Sequence, residues 1–209
     1  MRNTAINKEI QEGLTPDLVL KDLLEGNQRF INNTPAAVSH LDLVKDTITG
    51  QYPKAVVLSC IDSRVPVEQV FDQAIGDIFV ARVAGNFENT DILGSIEYAC
   101  GVAGSKLIFV LGHESCGAVK AACDGVELGN ITSMLANITP AVKKSSEEVD
   151  GEANSSNKEF VAKTVENNVL LTMERIPEKS NLLSELIDSN EIKIVGGVYS
   201  LTTGKVNML

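Results

Sequence analysis

The sequence lacks any apolar run of the roughly 18 residues that a membrane-spanning helix requires. Its first residues, MRNTAINKEIQEG, also lack the apolar core of a secretory signal. We therefore expect no membrane partner and a cytoplasmic location. A periplasmic location is the alternative if the sequence is a mature form without its signal peptide.

Positive charge is scarce as well, because 18 Lys and Arg residues face 28 Asp and Glu residues, for a net charge of −10. Such a balance argues against a broad phosphate-binding face, so we expect no nucleic acid partner. No G-x-G-x-x-G or Walker loop follows an apolar run, which argues against a plain nucleotide-binding domain.

Cysteine is limited to four residues in a chain of 209, too few and too irregularly spaced for a disulfide framework. The chain is 44% hydrophobic and 22% charged, enough to fold around a core as one domain over 1–209, with a helical arm over about 1–50. Cys100 and Cys123 fall on predicted helices, where we expect small buried hydrophobes. Cys60 and Cys116 are left as candidates for a metal ligand or a nucleophile.

Four apolar runs without alternation are typical of strands buried on both faces, at 55–58, 78–81, 107–111 and 192–198. Helices are predicted over about 16–32, 40–49, 91–103, 117–123, 129–145, 158–174 and 180–189. The polar stretch 143–158 is predicted to be a surface loop. This alternation predicts an α/β fold with a mostly parallel central sheet flanked by α-helices.

Two predicted strands end in side chains that bind metals. Cys60 follows the first, while His113 and Cys116, three residues apart, follow the third. Ligands bind beyond the carboxyl ends of parallel strands, so these side chains can converge on one ion. Two thiolates and one imidazole with an open position are the ligand count of a catalytic zinc site.

Asp62 and Arg64 follow Cys60 closely. An adjacent Arg favours the ionised carboxylate, so Asp62 can orient a zinc-bound water or hydroxide, or can itself become a fourth ligand and close the site. Zinc lowers the pKa of bound water to about 7, so such a site holds a nucleophile at neutral pH.

With these residues the sequence resembles the β-class carbonic anhydrases. Cys60 to Arg64 is similar to the C-x-D-x-R element of that family, and His113 to Gly117 is similar to its H-x-x-C-G element. Similarity extends over nearly the whole chain, including 25–30, 81–86 and 95–99, and is weakest over about 130–175.

The resemblance implies a carbonate dehydratase, a lyase of class EC 4.2.1.1, that reversibly hydrates carbon dioxide to bicarbonate and a proton. One Zn²⁺ per subunit would be bound by Cys60, His113 and Cys116, with Asp62 and Arg64 as the catalytic dyad. The resemblance also assigns substrate binding to four residues, Gln51, Phe79, Val83 and Tyr98. It implies a homodimer or homotetramer.

The chain departs from the family pattern in two ways. Ile61 replaces the usual serine, and the absence of tryptophan argues against the bicarbonate-regulated subclass. Two other functions stay open: hydrolysis of a carbon dioxide analogue such as carbon disulfide, and a non-catalytic zinc or redox protein that uses Cys60 and Cys116 as a switch.

Overall fold

The computed structural model describes residues 3–209 and contains a five-stranded sheet in the order β2-β1-β3-β4-β5. Met1 and Arg2 of the predicted arm lie outside the described residues. The strands are β1 (Ala55–Ser59), β2 (Ile78–Arg82), β3 (Leu107–His113), β4 (Lys193–Tyr199) and β5 (Val206–Met208). β1 to β4 are parallel and β5 is antiparallel to β4, which confirms the predicted α/β class.

Helices cover the sheet on both faces. They are α1 (Lys8–Glu12), α2 (Pro16–Ile31), α3 (His40–Asp46), α4 (Val67–Val70), α5 (Thr90–Glu97), α6 (Gly117–Cys123), α7 (Gly129–Leu135), α8 (Thr139–Glu148), α9 (Lys158–Lys179) and α10 (Asn181–Asp188). A π-helical turn, Tyr98–Val102, follows α5.

The central strands β1 and β3 are buried along their whole length. Val57 and Phe109 face a core that contains Val19 and Leu23 of α2. Their neighbours in sequence face the opposite core, which also receives side chains from α5, α9 and α10. Because successive side chains on a strand alternate between faces, burial on both faces requires the unalternating apolar runs seen in the sequence.

Helix α2 begins as predicted at Pro16, after Thr15, whose side chain accepts a hydrogen bond from the Leu18 amide. It lies close to the segment after α4, because a Cβ added to Gly26 would overlap the Phe71 carbonyl oxygen. The buried Asn27 amide donates to the carbonyls of Val70 and Gly204 and thereby fixes α2 to the end of α4 and to the loop before β5.

The predicted helix over 129–145 is wrong as a single element. The structure divides it into α7 and α8, separated at 136–138. Pro140 lies in the first turn of α8. Proline has no amide hydrogen and its ring clashes with the carbonyl four residues earlier, so Pro140 favours the first turn of a new helix over the interior of a continuous one.

The predicted loop over 143–158 is correspondingly too long, because α8 continues to Glu148. Ser145 is fully buried: its hydroxyl donates to the Ala141 carbonyl and accepts a hydrogen bond from Asn167. A polar sequence here forms one side of a buried contact between α8 and α9.

Other boundaries shift by smaller amounts. The helix predicted over 158–174 extends to Lys179, and the last part of the helix predicted over 91–103 is the π-helical turn. Sequence analysis did not predict α1, α4 or β5, all of five residues or fewer. Within residues 3–209, no helix is both long and apolar enough to cross a membrane.

Candidate metal centre

The register of the sheet places two strand ends side by side. Ser59, the last residue of β1, pairs with Leu111 of β3, so Cys60 and His113 both lie at the carboxyl edge. Cys116 is the residue before the first turn of α6. The ligand atoms of Cys60, His113 and Cys116 lie within 4.8 Å of one another, all three residues are buried, and the two sulfurs are 3.9 Å apart.

The orientation of the His113 ring is set by the backbone. Its Nδ1 lies 2.9 Å from the Glu114 carbonyl oxygen, a bond that requires the proton on Nδ1. Nε2 is therefore an acceptor, and among the described residues it has no hydrogen-bond partner although it is fully buried. A buried nitrogen lone pair beside two thiols is the arrangement expected of a metal ligand.

The two thiols differ in their electrostatics. The hydrogen bond with Cys116 lowers the pKa of Cys60, burial opposes this shift, and His113 and the Gly85 amide, 3.3 Å from the sulfur, add smaller favourable contributions. The same contact and burial raise the pKa of Cys116. The Gly85 amide thus supports the thiolate form of Cys60, and thiolate is the form that binds metals.

Asp62 is bound tightly by Arg64. The guanidinium donates from Nε to Oδ1 at 2.9 Å and from Nη2 to Oδ2 at 2.7 Å, and the Arg64 amide also donates to Oδ1. These bonds hold the pKa of Asp62 well below its usual range. Asp62 Oδ2 lies 3.8 Å from His113 Nε2, beyond hydrogen-bond distance, so an ionised carboxylate faces the cluster.

The loop after β1 is held from the neighbouring strand. The Arg82 guanidinium donates to the backbone carbonyls of Cys60, Asp62 and Val65, at 2.8 to 3.0 Å. Three charge-assisted hydrogen bonds to one loop fix the positions from which the Cys60 and Asp62 side chains project.

The loop after β3 is held by β4 and the turn that follows it. The Glu114 amide donates to the Tyr199 carbonyl, and Glu114 Oε2 accepts hydrogen bonds from the Ser200 hydroxyl at 3.1 Å and the Leu201 amide at 2.9 Å. Ser115 has a φ of 54°, a left-handed conformation that turns the chain sharply between His113 and Cys116.

The structure brings two of the four predicted substrate-binding residues into direct contact. Phe79 and Tyr98 make an edge-to-face contact, with ring centroids 6.2 Å apart, and line an open cavity of about 720 Å³ beside the edge strand β2. Val83 is not part of its lining; it packs against the core cluster that Phe79 also contacts and against the one that contains Cys60 and Cys116. Gln51 is exposed between α3 and β1.

Arg82, Glu114 and Asn168 were not among the predicted site residues, although each is bonded to the loops that carry the cluster. Asn168 donates to the Gly85 carbonyl at 2.7 Å. Arg82 and Gly85 lie in one of the stretches that carry the resemblance. Glu114 lies between the candidate ligands His113, at the end of β3, and Cys116, before α6. Asn168 has no comparable signal, because it lies where the resemblance is weakest.

The donor set can be compared with the needs of a metal. Two cysteine sulfurs and an imidazole nitrogen on one side, with a carboxylate held nearby, match the preference of zinc for sulfur and nitrogen ligands. Of the remaining cysteines, Cys100 is buried among apolar side chains and burial raises its pKa to about 12, which disfavours a metal-binding thiolate.

Known proteins are similar to this chain in sequence and in fold. A carbonic anhydrase family model matches residues 55–206. Carbonic anhydrase 2 of Mycobacterium tuberculosis is 38% identical over 196 residues, 91% of each chain, and a carbonic anhydrase of Mycolicibacterium smegmatis is 36% identical over 203 residues, 92% of this chain and 93% of that one.

Solved structures agree with these matches. A tetrameric β-carbonic anhydrase from Sordaria macrospora superposes with a TM-score of 0.72 at 25% identity, over 92% of this chain and 94% of that one. A β-carbonic anhydrase from Coccomyxa, solved with acetazolamide, gives a TM-score of 0.71 at 25% identity, over 91% and 86%. The chain belongs to the β-class carbonic anhydrase family.

Proposed function

We propose that the protein binds one Zn²⁺ per subunit through Cys60, His113 and Cys116 and reversibly hydrates carbon dioxide to bicarbonate and a proton. The observation that carries the proposal is the fully buried Nε2 of His113, which lies beside two sulfurs and has no hydrogen-bond partner within residues 3–209. Bound zinc would supply a water whose pKa is lowered to about 7, and so a nucleophile at neutral pH.

The chain contributes the orientation of the reacting groups. With zinc bound, ionised Asp62 would accept a hydrogen bond from the nucleophile and so direct its lone pair toward the carbon of the substrate. Arg64 keeps this carboxylate ionised and in place. Release of bicarbonate would leave the site ready for another water, whose proton would pass to buffer.

The apolar face beside β2 supports an oligomer. Phe79, on the edge strand β2, is half-buried, and Tyr98, in the π-helical turn beside it, is 54% exposed, although both side chains are aromatic. We propose that a homodimer, or a homotetramer built from two dimers, covers this surface and closes the substrate pocket. Sedimentation velocity checks the assembly, and a stable monomer at micromolar concentration would contradict it.

The decisive experiment compares two cysteine variants for zinc content and for carbon dioxide hydration by stopped flow. Cys116→Ala is expected to lose both zinc and activity. Cys123→Ala is the matched control, because Cys123, the last residue of α6, is also a buried thiol but its sulfur contacts the Thr164 hydroxyl, 3.8 Å away. It is expected to keep both. Zinc-free wild type, or full zinc without hydration at pH 7 and pH 9, would overturn the proposal.

A further inference from the structure

A tight turn lies directly against the Cys60 sulfur. It consists of Val83, Ala84, Gly85 and Asn86, called here the Gly85 turn, and is closed by the Asn86 amide donating to the Val83 carbonyl at 3.0 Å. Gly85, the third residue, has a φ of +87°, as a type II turn requires at that position. In this conformation the Gly85 amide donates to Cys60 Sγ at 3.3 Å.

Two residues outside the Gly85 turn hold it in place. A Cβ added to Gly85 would lie 2.5 Å from the Ile138 side chain, so there is no space for the turn to move toward α8. The Asn168 amide, on the buried face of α9, donates to the Gly85 carbonyl at 2.7 Å. This bond joins two residues 83 positions apart in sequence and anchors the turn to α9, while the Val83 amide donates to the Ser59 carbonyl of β1.

The burial of Asn168 costs free energy, because part of its polar side chain lacks a hydrogen bond. Its side chain is 1% exposed, yet its Oδ1 has no hydrogen-bond partner among the described residues. Native structures leave few such atoms unsatisfied, and each needs an explanation. Within residues 3–209 only the donor side of the Asn168 amide is used, and its acceptor is the Gly85 carbonyl.

We propose that Asn168 is a positioning residue for the Cys60 sulfur, acting through the Gly85 turn; this inference rests on the zinc site proposed above. Asn168 fixes the carbonyl of Gly85, and the turn then presents the Gly85 amide to the sulfur. A hydrogen bond to a metal-binding thiolate orients it and sets how much charge it donates to the metal. Without Asn168 the turn relaxes and the sulfur loses this donor.

The adjacent residue supplies a matched control. Asn167 is also 1% exposed on α9, but its amide donates to the Ser145 hydroxyl at 3.0 Å and to the Glu148 carboxylate at 2.8 Å, on α8. Asn167→Ala and Asn168→Ala therefore each remove one buried side-chain amide from the same helix. Of the two, the Asn168 change is the one that removes a hydrogen bond to the Gly85 turn.

The test measures the metal site itself. Wild type and the two alanine variants are loaded with Co²⁺ for the thiolate-to-metal absorption band, and with Zn²⁺ for the rate of metal release to a chelator. We expect Asn168→Ala to shift the band and to release zinc about 10-fold faster. Asn167→Ala should match wild type in both measurements, although we expect thermal unfolding to show that both variants are destabilised.

If Asn168→Ala does not fold, Asn168→Leu, close in volume and without a donor, takes its place with the same expected result. Equal bands and equal release rates for the Asn168 and Asn167 variants would overturn the positioning role while leaving the zinc site intact. A wild-type protein that binds neither metal would overturn the zinc site and the inference together.

Discussion

Arg64 binds both carboxylate oxygens of Asp62 through its side chain, with Nε 2.9 Å from Oδ1 and Nη2 2.7 Å from Oδ2. The Asp62 side chain is 15% exposed, whereas that of Arg64 is 54% exposed. The pair thus spans the boundary between the buried cluster and solvent, and the planar guanidinium fixes the plane of the carboxylate.

Arg64→Ala should lower the rate of carbon dioxide hydration by about 10- to 100-fold, because Asp62 loses the partner that orients it. Zinc content should be unchanged, since Arg64 does not contact the three candidate ligands. Stopped-flow kinetics and metal analysis check both expectations. Arg29→Ala, which breaks another Arg–Asp pair, that with Asp72, is the control and should keep the wild-type rate. Equal rates for the two variants would contradict the role of Arg64.

Glu114→Ala should reduce the free energy of unfolding by about 1–3 kcal/mol, because the Ser200 hydroxyl and the Leu201 amide lose their shared acceptor. It should also speed zinc release, since the loop between His113 and Cys116 is no longer fixed. Glu114→Gln keeps an oxygen acceptor and should retain most of the stability. Urea unfolding and chelator competition provide the measurements, and identical losses in the two variants would argue against this contact.

Gly26→Ala should lower the free energy of unfolding by about 1–3 kcal/mol, because the new methyl group would overlap the backbone of Phe71 and force α2 outward. Gly13→Ala is a suitable comparison. Its added Cβ would meet carbonyl oxygens at an ordinary 3.5 Å, and the φ of Gly13 is −78°. That change should alter stability by no more than about 0.5 kcal/mol. Denaturant titrations of both variants settle the matter, and equal effects would show that α2 can shift freely.

Asp124 should contribute a pH-dependent share of stability. Hydrogen bonding from Ser155, whose amide donates to Oδ1 at 2.8 Å, lowers the pKa of Asp124 below its usual value of about 3.9. Because the unfolded chain binds the proton more tightly, this contribution is present above about pH 4 and disappears as pH falls through the lowered folded-state pKa.

Asp124→Asn should therefore differ most from wild type at neutral pH, and the difference should shrink as the pH falls below about 4. Urea unfolding between pH 3 and pH 7 measures it. The same difference in unfolding free energy at every pH would mean that the Ser155 contact does not depend on the charge of Asp124.

The sequence alone predicted the layers of this fold. Apolar runs without alternation identified the four parallel strands. The central β1 and β3 are buried along their whole length, as expected of strands covered on both faces, whereas the edge strand β2 is only partly buried, so that expectation was wrong for β2. Thr15 and Pro16 likewise located the start of α2. The short β5 was missed, because three residues carry too little pattern to be recognised. The break between α7 and α8 was missed as well, although Pro140 marks it.

For the candidate site as well, some residues could be predicted from the sequence and others only from the structure. Cys60, Asp62, Arg64, His113 and Cys116 were visible as candidates, because they are reactive residue types placed where predicted parallel strands end. Their partners Glu114 and Asn168 were not, since a hydrogen bond between Asn168 and Gly85 depends on how α9 packs over the sheet. Local sequence determined which atoms could bind a metal, and only tertiary packing, which joins segments far apart in the chain, decided what orients them.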